Sequence, residues 1–358
     1  MALLRRQILI FYSKIKLLLD LLSNLRSFFF KTPWVFVSEN KDWSIYHDGV
    51  NLTSFLEKKG IKSWLTFNPH FVFRSCVHFG SINVFYLKYN KLVFKNNRIF
   101  VTFFHGYRGD DSNSDCKIDY LLDNLDNIET VIVSNSIMYK RLIEYGFRQD
   151  KLNLIPIPID PAKFHFNVHA KSRKKFTIGS FQKDGVGWLH GTDPKYIKGP
   201  DILCNILKSL VGSIDFEVLL IGPARGYVIN QLSAAGIDFK YCCYNNIDQV
   251  HTNYSKIDLY IMASREEGGP KSILECVASN VPILCTEVGM AVDVFAGMPN
   301  LISNFDTYHF KRKILEIYSG EISKYTSSYE DILRKYSWEA IIPSYLRLYH
   351  HIKDKNYD

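Results

Sequence analysis

The sequence predicts an α/β protein built from two doubly wound, parallel-sheet domains in tandem. Three observations carry this. A length of 358 residues is long for one core and comfortable for two. Short apolar runs alternate with helical segments along most of the chain. A proline-rich, basic stretch near the middle then interrupts that rhythm. Apolar residues make up 47% and charged residues 22%, which suits a soluble globular protein with two cores.

Residues 1–31 come first. They hold Arg5, Arg6, Lys14, Lys16, Arg26 and Lys31 against the single acid Asp20, so this segment carries +5 of the chain's +8. The rest is close to neutral, which argues against a basic groove for nucleic acid. Charges interrupt the segment too often for a signal peptide or a membrane span. At about 100° per residue, Arg5, Arg6, Ser13, Lys16, Asp20, Ser23, Asn24 and Ser27 share one arc, with Leu4, Ile8, Phe11, Ile15, Leu18, Leu22, Leu25 and Phe29 across from it. A basic amphipathic helix over 1–32 suits an anionic membrane surface at the inner face of the membrane; docking on its own protein is the alternative. Seven scattered cysteines without C-x-x-C spacing read as reduced thiols of a cytoplasmic protein.

After Pro33, residues 34–38, 62–67, 98–104, 130–134 and 152–155 read as strands. A helix runs to Lys59 before Gly60, and another over 136–145 closes at Gly146. The first domain is therefore 33–165. The segment Pro156-Ile-Pro-Ile-Asp-Pro161 and the basic run 171–175 mark the boundary. A second domain over 170–335 has strands at 176–180, 216–221, 239–241, 259–263 and 282–286. Ser337 is placed to N-cap a last helix, bent at Pro343, which completes the first domain with 338–358.

Chemistry concentrates in Ser264-Arg-Glu-Glu267-Gly268-Gly269-Pro270-Lys271-Ser272-Ile-Leu-Glu275. A buried strand runs into a Gly-Gly loop, Pro270 takes the first helical position, and the helix start offers N–H groups to an anion. Lys271, Ser272 and Glu275 share a face, while Ile273 and Val277 turn to the core. Lys271 then meets phosphate, Glu275 accepts from a ribose diol, and Glu267 meets the sugar. Taken alone, Glu266 and Glu267 could merely complement the helix dipole, with Glu275 paired to Lys271.

Glu267 and Glu275 stand seven residues apart, and the run from Glu267 through Leu284 resembles the E-x7-E motif of family 4 glycosyltransferases. Thr286-Glu-Val-Gly289, Gly199-Pro-Asp201, Ile221-Gly-Pro-Ala-Arg225 and Tyr336-Ser-Trp-Glu are similar to further landmarks of that family. The resemblance implies a GT-B fold, two Rossmann-like domains facing across a cleft with the C-terminal helix crossing back to the first, and a retaining transfer from a nucleotide-diphosphate sugar. It assigns Glu267 to the donor sugar near the reacting centre, Glu275 to the ribose, and Lys183 and Lys198 to the diphosphate, Lys183 standing where the family carries an arginine. Arg225 is a further phosphate candidate. Gly268 and Gly269 admit the backbone to the ligand, and His105 in Phe103-Phe-His-Gly106 matches the histidine aimed at the donor sugar. His47, Asp48 and Gly49 are acceptor-side candidates, in place of the family's glycine-rich loop.

No Asp-x-Asp occurs, so no metal and no prosthetic group are expected, and lysines supply the counter-charge. The expected partners are the nucleotide sugar and a glycan or lipid-linked acceptor in surface polysaccharide or lipopolysaccharide synthesis. A GT-B-like sugar-nucleotide epimerase and a non-catalytic glycan- or nucleotide-binding module remain as alternatives.

Overall fold

The computed structural model describes residues 18–19, 22–30, 32–39, 44–108, 112–164, 175–187, 190–244 and 247–355. Arg5, Arg6, Lys14, Lys16, Asp20, Lys31 and most of the basic run 171–175 lie outside the described residues. The chain divides into two compact units. One comprises residues 1–134, 138–155 and 342–358; the other comprises 135–137 and 156–341.

The first unit holds a six-stranded parallel sheet in the order β2-β1-β3-β4-β5-β6. Its strands are β1 (Trp34–Val37), β2 (Ser63–Thr66), β3 (Cys76–Phe79), β4 (Arg98–Phe103), β5 (Thr130–Val133) and β6 (Leu152–Leu154). The second unit holds another, in the order β12-β11-β10-β7-β8-β9. Here the strands are β7 (Phe176–Phe181), β8 (Phe216–Ile221), β9 (Phe239–Cys242), β10 (Leu259–Met262), β11 (Ile283–Thr286) and β12 (Leu301–Ile302). Every residue of β1, β5 and β10 is buried, the mark of strands covered on both faces, and this is why they read as unbroken apolar runs. The predicted α/β class with two Rossmann-like sheets is therefore the observed one.

Two strands had no sequence signal. β3 is four residues long with a buried histidine in it, and β12 has only two residues. Residues 156–164, counted with the first domain on composition, group with the second unit. Ile159 bridges to Ser337 there, and the Phe164 ring lies 4.5 Å from that of His251. The last helix, Trp338–Lys355, starts as expected: the Ser337 hydroxyl accepts from the Ala340 N–H at 3.3 Å.

In β3, His78 sits among Trp34, Phe36, Phe100 and Tyr345 and shares a 2.7 Å hydrogen bond with Thr102. Its Nδ1 has no partner. Burial lowers its pKa from 6.5 to about 3. The folded state keeps the ring neutral, whereas the unfolded chain takes a proton below about pH 6.5, so stability falls as the pH drops through that window. Urea melts should lose about 2 kcal/mol between pH 7.5 and 5. His78→Leu should shrink that loss; an unchanged pH slope would show that other groups cause it.

The described part of the N-terminal segment docks on the first unit by its polar side. Asn24 is fully buried and donates to the Asn68 and His70 carbonyls at 2.6 and 2.9 Å, while accepting from the Trp64 indole at 3.2 Å. Ser27 accepts from the Phe73 N–H at 3.0 Å. Leu18, Leu22, Leu25 and Phe29 are exposed. The apolar stripe thus faces away from the protein's own core, the reverse of an ordinary docked amphipathic helix.

Candidate functional site

In the second sheet the strand order reverses between β7 and β10, and ligands of doubly wound sheets bind outside the carboxyl ends of strands at such a point. The loops that leave those two strands carry the residues singled out by the sequence. After β10, the Ser264–Glu267 loop is tied to the turn at Tyr196–Lys198: the Arg265 and Glu266 N–H groups donate to the Ile197 carbonyl at 2.9 and 3.2 Å. Arg265 adds a two-pronged contact to Asp201, both bonds 2.7 Å, and its guanidinium holds that carboxyl below the usual range. Gly199 permits this approach. Its φ is +63°, and a Cβ there would stand 1.8 Å from the Ala263 carbonyl oxygen.

That clamp places Lys198 against Glu267. The ammonium donates to both carboxylate oxygens at 2.7 Å, and the Ser264 hydroxyl donates to Oε1 at 2.8 Å. Glu267 is therefore fixed by three bonds, with a side chain only 10% exposed. It does not simply complement the helix dipole. Lys183 follows β7. Lys195, absent from the sequence-derived set, is the missed residue. Partial burial, then the charges of Lys198 and Lys183, pull its ammonium below the ordinary range, with Glu267 opposing. Lys195 thus feels two neighbouring lysines and one acid. The spacing Lys195-x-x-Lys198 ahead of Gly199 was the available signal.

The helix Lys271–Ala278 begins one residue later than expected: Pro270, with ψ 113°, is its N-cap rather than its first residue. Lys271 and Ser272 are half-buried at the start of that helix. Gly268 and Gly269 lie in the preceding loop, and the Gly268 carbonyl accepts from the Met290 N–H at 3.1 Å. Glu275 does not sit open at a cleft mouth. It is buried, its Oε2 accepts the Tyr254 hydroxyl at 2.5 Å, and Oε1 lies 3.7 Å from the His251 ring nitrogen. Burial and the Glu275 charge push the Tyr254 phenol well up, so it stays a donor.

Arg225 corrects the sequence reading. It is buried beneath the loop rather than facing a ligand, because its donors go to the Ser180, Gln182 and Ile221 carbonyls at 2.6, 3.1 and 3.2 Å and to the Ser180 hydroxyl at 3.1 Å. Its Nε stands 3.0 Å from Asp184, off the line of a hydrogen bond, and both side chains are fully buried. A phosphate cannot reach it.

In the first unit, His105 is exposed in the loop directly after β4. His47, Asp48 and Gly49 belong to the helix Ser44–Lys58, not to a loop. Gly49 is a packing residue: a Cβ there would fall 2.3 Å from the Phe36 ring, which removes it from the acceptor-side set. A cavity of about 670 Å³ opens at the other end of that sheet, lined by Arg98, Glu129, Lys151 and Arg347 among others. Among its charges, Arg98 is engaged with Glu129 at 3.6 Å and Lys151 with the Ile128 carbonyl at 2.6 Å.

The two parallel, Rossmann-like sheets are those of the GT-B fold. Residues 185–319 match the family described as Glycosyl transferases group 1, a span that contains most of the loops above. Over 170 residues the chain is 27% identical to an uncharacterized glycosyltransferase of Methanocaldococcus jannaschii, covering 44% of this chain and 46% of that protein. The chain thus spans about half the length of that curated relative. Among solved structures, it resembles sucrose-phosphate synthase from Thermosynechococcus elongatus at 13% identity and a TM-score of 0.72, covering 91% of this chain and all of that one. It resembles Anabaena HepE, solved with UDP and glucose, at 13% identity and a TM-score of 0.71, covering 89% and all of that chain. The likenesses to solved structures show the fold, and the group 1 match places residues 185–319 beside glycosyl transferases.

Proposed function

We propose that this chain is a retaining glycosyltransferase of the family 4 type, moving a sugar from a nucleotide-diphosphate sugar to a glycan or lipid-linked acceptor in surface polysaccharide or lipopolysaccharide synthesis. One observation carries the reading: a carboxylate, Glu267, fixed by Lys198 and Ser264 at the strand-order reversal, with Lys195 within reach of its charge and of the charges of Lys198 and Lys183. The HepE structure with UDP and glucose, and the group 1 match, support the donor class.

Breaking the sugar–phosphate bond leaves negative charge on the diphosphate and positive character on the sugar. Lys183, Lys195, Lys198 and Lys271, with Ser272 and the N–H groups of the helix start, take the diphosphate, and Gly268 and Gly269 let it approach. As Lys198 turns to phosphate it frees Glu267 for the donor sugar. Glu275, held by Tyr254, offers Oε1 to the ribose. The departing phosphate accepts the acceptor's proton on the same face, so the reaction needs no separate base. From the first unit, His105 serves the donor sugar, and His47 and Asp48 serve the acceptor. The enzyme works at the cytoplasmic face of the membrane, with residues 1–31 as its lipid contact.

Titration of the purified protein with UDP-, GDP-, ADP- and dTDP-sugars tests this. One nucleotide series should bind, and Lys195→Ala should weaken it about tenfold or more. Nucleotide release should require an acceptor glycan. Release of an altered nucleotide sugar without acceptor would favour an epimerase, and no binding by any series would end the proposal.

A further inference from the structure

The segment that docks by its polar side leaves an apolar ridge whose composition is not that of ordinary surface. Leu22 is 52% exposed, Phe29 84%, and Leu18, Leu19, Leu25 and Phe30 are also open. A second element joins the ridge. The loop between β2 and β3 holds Phe71 59% exposed at φ +63°, a left-handed backbone that an aromatic residue rarely adopts. Both elements are fastened to each other. Asn24 donates to the Asn68 and His70 carbonyls, Ser27 accepts from the Phe73 N–H, and the Phe28 and Phe73 rings stack with centroids 5.2 Å apart. Two buried polar residues therefore hold several apolar ones outward, an arrangement that needs a nonpolar phase beyond the protein.

Charge selects that phase. Neither 22–30 nor 61–75 contains an aspartate or glutamate, and Arg26, Lys62 and Arg74 stand over the Trp64, Phe30 and Phe73 rings at 4.8, 5.9 and 5.1 Å. Cations among outward aromatic and aliphatic side chains fit the headgroup layer of an anionic bilayer, whereas a protein partner's apolar surface gives no reason for a one-sign rim. We infer that residues 22–30 and the Phe71 loop form one membrane-inserting wedge, latched by Asn24 and Ser27, that seats the first unit on anionic lipid. This deepens the membrane contact proposed above for residues 1–31 and rests on it: the loop at Phe71, remote in sequence, is part of the same surface, and orientation is set by the latch.

Co-sedimentation with vesicles of phosphatidylcholine alone, or with about a third phosphatidylglycerol, tests this on the full chain. Wild type should pellet with the anionic vesicles only. Phe29→Glu and Phe71→Glu should each weaken partitioning about tenfold or more, from the loss of one inserted ring, with nucleotide-sugar binding and urea midpoint unchanged as checks of folding. If Phe71→Glu and Phe29→Glu pellet like wild type, the wedge is wrong while the contact through residues 1–31 stands. If wild type ignores both vesicles, both ideas fail. Failure to pellet together with a dimer that Phe29→Glu converts to monomer would assign the ridge to a second copy and overturn the wedge.

Discussion

Glu267→Gln should lower turnover with the preferred donor about 100- to 1,000-fold, the usual cost of removing one preorganised charged group from a reacting centre. The geometry sets the expectation. The carboxylate is held by Lys198 on both oxygens and by Ser264 on one, so it is placed before any ligand arrives. The glutamine amide fits the space but removes the charge and cannot accept from Lys198 on both sides. Donor affinity should change much less than turnover, since the lysines remain. Because Lys198 and Glu267 act together, Lys198→Ala combined with Glu267→Gln should cost less than the product of the two single losses. Turnover within about threefold of wild type would remove Glu267 from the chemistry, since it corresponds to under about 1 kcal/mol.

Arg225→Met should destabilise the second unit by about 3–5 kcal/mol, the range found when one member of a buried ion pair is removed. The substitution strands the Asp184 carboxylate, which has no exposed surface and whose pKa burial already raises despite the guanidinium beside it. It also leaves the Ser180 and Ile221 carbonyls at the ends of β7 and β8 without their side-chain donor. Asp184→Asn combined with Arg225→Met should recover part of the loss, since no buried charge then remains. Urea midpoints of the three variants measure this. A phosphate ligand role would instead leave the midpoint near wild type and weaken nucleotide binding alone.

The sheets were legible because period and length specify them. Runs such as Trp34–Val37 and Leu259–Met262 are apolar throughout, and such runs bounded by turn signals read as doubly covered strands. β3 escaped because His78 breaks a run of four, and only the packed ring and Thr102 show why a histidine belongs there. At the candidate site, the Gly-Gly-Pro loop and the helix after it were readable as local chemistry. Pro270 nevertheless sits one position outside the helix, since its own backbone, with ψ 113°, stays extended. The grouping of Lys195 with Lys183 and Lys198 depends on loops folding together, and spacing alone does not report that.

By itself, then, the sequence determined the α/β class, the two tandem sheets and the acid-bearing loop after β10, all of which follow from periodicity and short-range turn chemistry, while the lysine before Gly199 was implied by the family resemblance. Only the tertiary structure decided that Arg225 is an internal brace, that Glu275 is held by Tyr254, that Gly49 is packed against Phe36, and that the N-terminal stripe faces outward. The physical reason is common to all four. Each depends on which distant group occupies the space next to the side chain, and a charge or an apolar surface has no fixed meaning until that neighbour, or its absence, is set by the fold.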